Sequence, residues 1–554
     1  MIKNQPSELP SAPATALSRR GLFGLAGASA AFAATPAIAQ GFGRGFTHSV
    51  ASGEPRTNMV LLWTRYVAER ETVINFEISE TLDFAKVTMQ AQATANPEND
   101  WCVKAWASDL EPNRWYYFRF IAPDGATSPI GRTRTLPEGP TERFKLAVFS
   151  CSNFGFGWFN AYGHAAEAGD CDLAVHLGDY LYEYAEGTYP GAGERNIARG
   201  LVPDSEIVTL TDYRQRYATY RNDPDLQRIH QVLPMIAVWD DHESANDSWK
   251  DGAQNHQTAA EGRWEDRKAI AKRVYREWMP VSDAPYSTFE IGDLATLFRL
   301  DTRLEGREEQ FNLSKVLEGS TTPQEAMTAL TTFRDGAWAS EDRHMLGEAQ
   351  EEWLAKGLAA SKAGGKTWQV LVQQVLMGNL KTPPGIVDAL PEGLPDFIKQ
   401  RFTAAALASG AGLPANMDAW DGYPAARERV LKSALEADAN LLVLAGDTHN
   451  GWAFELDVDG TKAGVEFGTP GVTSPGLERS LGMIKPADFA KAAVEANEQL
   501  KWADTSQRGY MAVELTPTRA VTEYRFVEGV KTRSTKLAGT KRISTQAGSH
   551  RLDI

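Results

Sequence analysis

The sequence predicts an α/β fold with a small all-β domain in front of it, and three observations carry that prediction. Short apolar runs at 144–149, 173–177, 235–239 and 441–445 read as fully buried parallel strands. Segments with helical apolar spacing separate them, so right-handed crossovers would deliver all four carboxyl ends to one edge of a sheet. Residues 41–140 instead hold short β-prone runs divided by Gly, Pro, Asn and Asp clusters, the spacing expected of a small β-sandwich.

The chain of 554 residues is long enough for two domains and a large core. Its first 39 residues belong to neither domain. Ser18-Arg19-Arg20-Gly21-Leu22-Phe23 sets paired arginines before a weakly apolar stretch, and Ala37-Ile38-Ala39 supplies an A-x-A cleavage site, the pattern of a twin-arginine export signal. A basic pair alone also suits an ordinary Sec signal. Removal at Ala39 takes away Lys3, Arg19, Arg20 and Glu8, leaving 54 basic and 71 acidic residues and a net charge of −17. Nucleic acid and anionic membranes would repel such a surface. No later apolar run approaches spanning length, so the expectation is a periplasmic or secreted protein without stable membrane insertion, carried by the twin-arginine machinery. Three cysteines cannot form a disulfide framework in a chain of this size, although Cys151 and Cys171 could pair in an oxidising compartment.

In chain order, β-prone runs at 59–63, 73–78, 87–93 and 115–120 build the sandwich, and 136–140 forms the linker. Residues 184–208 are rich in Gly, Tyr and Arg with little periodicity, which predicts a long loop leaving the 173–177 strand and lying over its end. Helices are expected over 212–231, 257–278, 348–360, 424–437 and 486–500, a hairpin over 287–301 and a strand over 368–372. Two closing strands fall at 510–515 and 520–527, and the basic, Ser/Thr-rich stretch beyond Lys531 reads as a loose tail.

Chemistry concentrates at the four strand ends: Ser150-Cys151-Ser152-Asn153, Gly178-Asp179-Tyr180-Leu181-Tyr182, Asp240-Asp241-His242-Glu243 and Gly446-Asp447-Thr448-His449. Gly178 lets the backbone turn without a Cβ clash. Taken singly, Gly-Asp after a strand is a turn, Cys151 a small buried hydrophobe, Tyr182 a packed ring and His242 a turn histidine; His176, inside its apolar run, reads as core. Together they gather carboxylates that would repel one another unless cations neutralised them. A carboxylate can bridge two cations, hard oxygen donors suit Ca²⁺, Mg²⁺, Mn²⁺ or Fe(III), and phenolate and thiolate shift one position towards Fe(III). Two adjacent cations polarise a phosphoryl oxygen, generate hydroxide near neutral pH and stabilise in-line displacement, so a phosphate ester suits the site better than a peptide or sugar.

These motifs, with Leu300-Asp301-Thr302-Arg303 and the sandwich in front, resemble the alkaline phosphatase D (PhoD) family of the metallophosphoesterase superfamily along essentially the whole mature chain. The resemblance implies a four-layer α/β/β/α catalytic core at 141–530, after a fibronectin III-like sandwich at 41–140 and before a tail at 531–554. It also implies Fe(III) on Cys151, Asp179, Tyr182 and His449, and Ca²⁺ on Asp179, Asp241 and Asp447, with Asp179 bridging and His242 beside the substrate as acid or charge stabiliser. Asn153 and Arg303 would be phosphate contacts. Cys151, Asp241 and Asp447 stand where the superfamily commonly has other ligands, and Gln373, Gln374 and Asn379 fall where another histidine is usual. The expected activity is hydrolysis of small phosphate monoesters, and of diesters as a second class, by metal-held hydroxide. The rivals are a phosphodiesterase or phospholipase D-type enzyme on the same site, and a cell-surface binding protein with a vestigial site.

Overall fold

The structure is a computed structural model that describes residues 43–383, 385–387, 396–414, 416–480 and 484–554. The export-signal expectation at 1–39 lies outside the described residues.

Two large sheets carry the catalytic half. The first has nine strands, in the order Leu537–Gln546, Arg519–Val527, Gly509–Leu515, Phe144–Phe149, Leu173–His176, Met235–Ala237, Gly45–Gly53, Val60–Val67 and Cys102–Ala107. The second has seven: Ser287–Ile291, Ala295–Arg299, Trp368–Val372, Leu441–Ala445, Thr461–Gly468, Gly451–Val458 and Leu500–Asp504. Leu146, Val148, Leu173, Val175 and Ile236 of the first sheet share one core with Leu297, Val370, Val372, Leu442 and Leu444 of the second. The alternate residues of the same strands meet helices instead. Ala147, Phe149 and Ala174 pack with Tyr213, Tyr217, Ile229 and Val274. Leu371, Leu441 and Val443 pack with Leu354, Leu358 and Leu431. Strands buried on both faces need apolar residues at every position, which is why these runs are continuous rather than alternating. Each such Leu or Val contributes about 1.5–3 kcal/mol by leaving water.

Four layers, helix–sheet–sheet–helix, follow. The strand-end expectation changes in one respect: Phe144–Phe149, Leu173–His176 and Met235–Ala237 share a sheet, whereas Leu441–Ala445 lies in the other. Doubly buried strands look alike whichever sheet they join, so sequence periodicity cannot assign them.

The N-terminal sandwich is also less separate than expected. Its four-stranded sheet, Val87–Ala95, Thr72–Ser79, Trp115–Ile121 and Gly131–Arg134, packs Ile74, Phe76, Ile78 and Phe118 against Val50, Val60 and Leu62. Those last three lie on strands of the nine-stranded sheet, because Gly53 pairs in parallel with Met235. The expected loose tail is corrected too. Leu537–Gln546 pairs antiparallel with Arg519–Val527 along its length and buries Ile543 at 1% exposure. It is an edge strand whose first six residues are exposed or half-buried and include Lys541 and Arg542, a composition that mimics a solvated tail while shielding the sheet edge.

The expected helix over 212–231 is two helices, Leu210–Arg221 and Pro224–Val232, because Asp223 caps a new start with Pro224 in its first turn. The 257–278 stretch likewise divides at Gly262 into Thr258–Glu261 and Trp264–Trp278. Residues 184–208 form no regular element, as expected of the loop. Among the described residues no helix is long and apolar enough to cross a membrane. All three cysteines are free, so Cys151 and Cys171 do not pair.

Candidate metal centre and active site

Strand register puts the ligand-bearing turns level. Phe149 pairs with His176 and His176 with Ala237, so Cys151, Asp179 and Asp240 emerge two or three residues beyond one row. In the facing sheet Val372 pairs with Leu444, and Asp447 follows three residues later. Gln374 joins the two sheets at this end: its Nε2 donates to Trp239 O (2.7 Å) and its backbone O accepts from Gly446 N (2.6 Å). Gln373 bonds within its own turn and accepts from Trp420 Nε1 (3.1 Å), and the Asn379 amide donates to Asp421. All three therefore hold loops in place.

The turns are strained. Cys151, Asp179, Asp447 and His449 adopt φ values of 60°, 55°, 64° and 63°. Left-handed backbone at a non-glycine residue costs on the order of 1–3 kcal/mol and persists where surrounding structure enforces it, most often at functional sites. Gly178, at φ 101°, has no such freedom to change: a Cβ there would lie 2.4 Å from Asp240 Cβ.

These turns bring together every ligand expected from the sequence. Cys151, Asp179 and His449 place one donor atom each within 4.8 Å of one another, as do Asp179, Asp241 and His242, and Asp240, Asp241 and Asp447. Tyr182 Oη joins the first group, 2.9 Å from Asp179 Oδ2 and 3.2 Å from His449 Nε2. Asp179 and Asp241 are shared between neighbouring groups. Cys151, Asp179, Tyr182 and Asp241 are buried, while Asp447 and His449 keep one side open to solvent and mark the mouth.

The electrostatics call for cations. Burial raises the Cys151 thiol and the Tyr182 phenol well above their usual ranges, and nearby Asp179 raises both further. Burial and carboxylate neighbours likewise raise Asp179 and Asp447. Asp179 Oδ1, Asp240 Oδ2 and Asp241 Oδ1 are buried with no hydrogen-bond partner. Buried anionic oxygens left bare are costly, and a bound cation is what removes that cost. The donors therefore fit a pair of metal ions: thiol, phenol, imidazole and carboxylate on one side, carboxylates on the other.

The catalytic histidine expected from the sequence lies beside this cluster. His242 Nδ1 pairs with Glu183 Oε2 at 2.7 Å. Burial disfavours the imidazolium, but Asp241, Glu183 and Asp179 outweigh burial and hold it well above the ordinary histidine value. His449 is the opposite case, pushed by burial to about 3 and thus a neutral imidazole suited to a ligand. His176 is core, as expected: fully buried, at about 3, and bonded to Tyr162 Oη at 2.8 Å.

The two residues expected to touch phosphate do other work in this structure. Arg303 is fully buried, its Nε 2.5 Å from Asp240 and its Nη1 2.8 Å from Asp418, with Nη2 3.8 Å from Asp241 and 3.6 Å from Asp447. It is the counter-charge inside the carboxylate group. Asn153 donates to Tyr189 O (3.2 Å) and accepts from Phe156 N (3.0 Å), tying the 184–208 loop to the first strand end.

Sequence reasoning missed several supports. Glu243 accepts from Asp179 N (3.2 Å), Tyr180 N (2.5 Å) and Asp240 N (2.8 Å), locking two ligand turns together. Glu183 accepts from Asn246 N and Asn255 Nδ2, both at 2.8 Å, which orients its bond to His242. Glu243 stands inside a motif already singled out and Glu183 directly follows another. Ser474, whose Oγ lies 2.6 Å from Tyr182 Oη and 2.9 Å from Cys151 O, lies far along the chain and has no sequence signal.

Two family models cover the chain, "PhoD-like phosphatase, N-terminal domain" over residues 32–137 and "PhoD-like phosphatase" over 146–524. The chain belongs to the PhoD-like phosphatase family. Alkaline phosphatase D of Bacillus subtilis (strain 168) is 32% identical over 508 residues, 87% of this chain and 77% of that protein. A solved structure of PhoD superposes with a TM-score of 0.73 at 28% identity, covering 92% of each chain. As a PhoD-like phosphatase the protein is a phosphoric ester hydrolase, and the four strand-end motifs all fall within the matched catalytic segment.

Proposed function

We propose that this protein is an exported, metal-dependent alkaline phosphatase acting on small phosphate monoesters, with Fe(III) held by Cys151, Asp179, Tyr182 and His449 and Ca²⁺ by Asp179, Asp241 and Asp447. The observation that carries the reading is the chain of shared carboxylates: Asp179 belongs both to the thiol–phenol–imidazole group and to the group with Asp241 and His242, and Asp241 belongs in turn to the Asp240–Asp241–Asp447 group. The bound ions would supply the nucleophile near neutral pH and absorb charge on the phosphoryl oxygens. His242, steadied at Nδ1 by Glu183, presents Nε2 to the departing alkoxide and returns a proton to it. Asp179 and Asp241 would hold the cations, which leaves the Glu183 carboxylate at Nδ1 as the group that favours the charged imidazole.

Monoesters are favoured over diesters because the 184–208 loop comes down over the centre: Tyr189 Oη stands 3.4 Å from His449 Nδ1, narrowing the mouth. The test is metal analysis alongside mono- and diester rates. Chelation should abolish turnover and Ca²⁺ should restore it better than Zn²⁺; full activity in metal-stripped protein overturns the reading, and faster diester turnover overturns the substrate preference. Export is tested separately. Arg19→Lys with Arg20→Lys should leave precursor in the cytoplasm, whereas normal periplasmic yield points to the Sec route.

A further inference from the structure

The mouth of the centre carries an aromatic wall that neither metal binding nor proton transfer requires. Tyr184 and Tyr189 both lie on the 184–208 loop and both remain half-buried. The Tyr184 ring packs edge-on against His242 at 5.3 Å and against Tyr189 at 5.8 Å, and the Tyr189 ring lies 5.7 Å from Tyr182. The two rings thus extend outward from the proton donor to the leaving group on one side and from a ligand on the other.

The wall is braced from behind. Arg479 sits with its guanidinium carbon 5.2 Å from the Tyr189 ring centroid and is held by Glu194 of the same loop, Nη2 to Oε2 at 2.7 Å and Nε to Oε1 at 3.1 Å. Asn153 fixes the Tyr189 carbonyl, and Arg216 Nη1 donates to the Tyr184 carbonyl at 3.0 Å. Rings held this firmly lose little entropy on binding, and a preformed aromatic surface favours a flat apolar partner over a flexible aliphatic one.

We infer that Tyr184 and Tyr189 form the leaving-group subsite and select phosphate monoesters whose alcohol carries a planar aromatic ring. The inference rests on the phosphatase reading above. With phosphorus at the metal centre and His242 at the ester oxygen, the group beyond that oxygen lies against the rings adjoining His242. Arg479 is a positioning residue that keeps the Tyr189 ring turned to the mouth.

The experiment compares 2-phenylethyl phosphate with butyl phosphate, whose alcohols are similar leaving groups and differ chiefly in the ring, using metal-loaded full-length mature protein. The wild type should prefer the phenylethyl ester by about tenfold in kcat/KM. Tyr189→Leu and Tyr184→Leu should each erode that preference, while Tyr189→Phe, which keeps the ring, should retain it; metal content measured on each variant identifies any loss caused by a damaged centre. Equal kcat/KM for the two esters in the wild type, or retention of the preference by both leucine variants with their metal intact, overturns the subsite. Failure of the wild type to hydrolyse either ester overturns the phosphatase reading itself, and the subsite with it.

Discussion

On one side of Asp179 the donors are a thiol, a phenol and an imidazole; on the other, Asp240, Asp241, Asp418 and Asp447 gather around the buried guanidinium of Arg303. The first half is assembled from three separate turns in left-handed backbone, with Ser474 bracing the phenol, and carries no internal cation among its described ligands. The second half brings part of its own counter-charge. The difference teaches that one half gains anionic donors only when an ion displaces the thiol and phenol protons, while the other holds carboxylates partly balanced beforehand, so the two should differ in how sharply they select what they bind.

The largest effect should come from the residue common to both. Asp179→Asn removes the shared negative charge, so both ions and essentially all turnover should be lost, as read by metal analysis and ester hydrolysis; a variant that kept one ion would show that the halves assemble independently. Next comes His242→Ala, which should keep both metals and lower kcat by roughly 10²–10⁴-fold. Turnover at the parental rate would remove His242 from the chemistry.

The smallest effect on fold, and the sharpest probe of the contrast, is in the donor-rich half. Phenolate or thiolate on Fe(III) gives visible charge-transfer absorption, whereas Ca²⁺ does not, so the purified enzyme should be coloured. Tyr182→Phe keeps the ring packed and deletes one donor, so the band should shift or bleach while circular dichroism stays unchanged, and Cys151→Ser should move it separately. A colourless, fully active enzyme would make the two halves chemically alike.

The clustering of these residues was legible because their turns follow uninterrupted apolar runs, and it was the recurrence of that pattern at four strand ends, rather than any single Gly-Asp, that set them apart. Their partition between two sheets was not legible, since Leu173–His176 and Leu441–Ala445 are equally apolar on both faces. Glu243 and Ser474 were hidden for different reasons. Glu243 acts through backbone N–H groups whose position depends on the turn, and Ser474 reaches Tyr182 across 292 residues of chain. The buried ion pairs of Arg303 with Asp240 and Asp418 were also hidden, because an arginine beside a phosphate site and an arginine neutralising its carboxylates carry the same letter.

The nine-stranded sheet is stitched from segments far apart in the chain. Gly45–Gly53 pairs with Met235–Ala237 inside it, and Leu537–Gln546 closes its far edge. Gly53 meets Met235 and Val148 meets Met511, and contacts of such sequence separation form slowly. A chain cut before Leu537 would present Arg519–Val527 as an open strand to its neighbours, which makes Leu537–Gln546 a clasp over that edge.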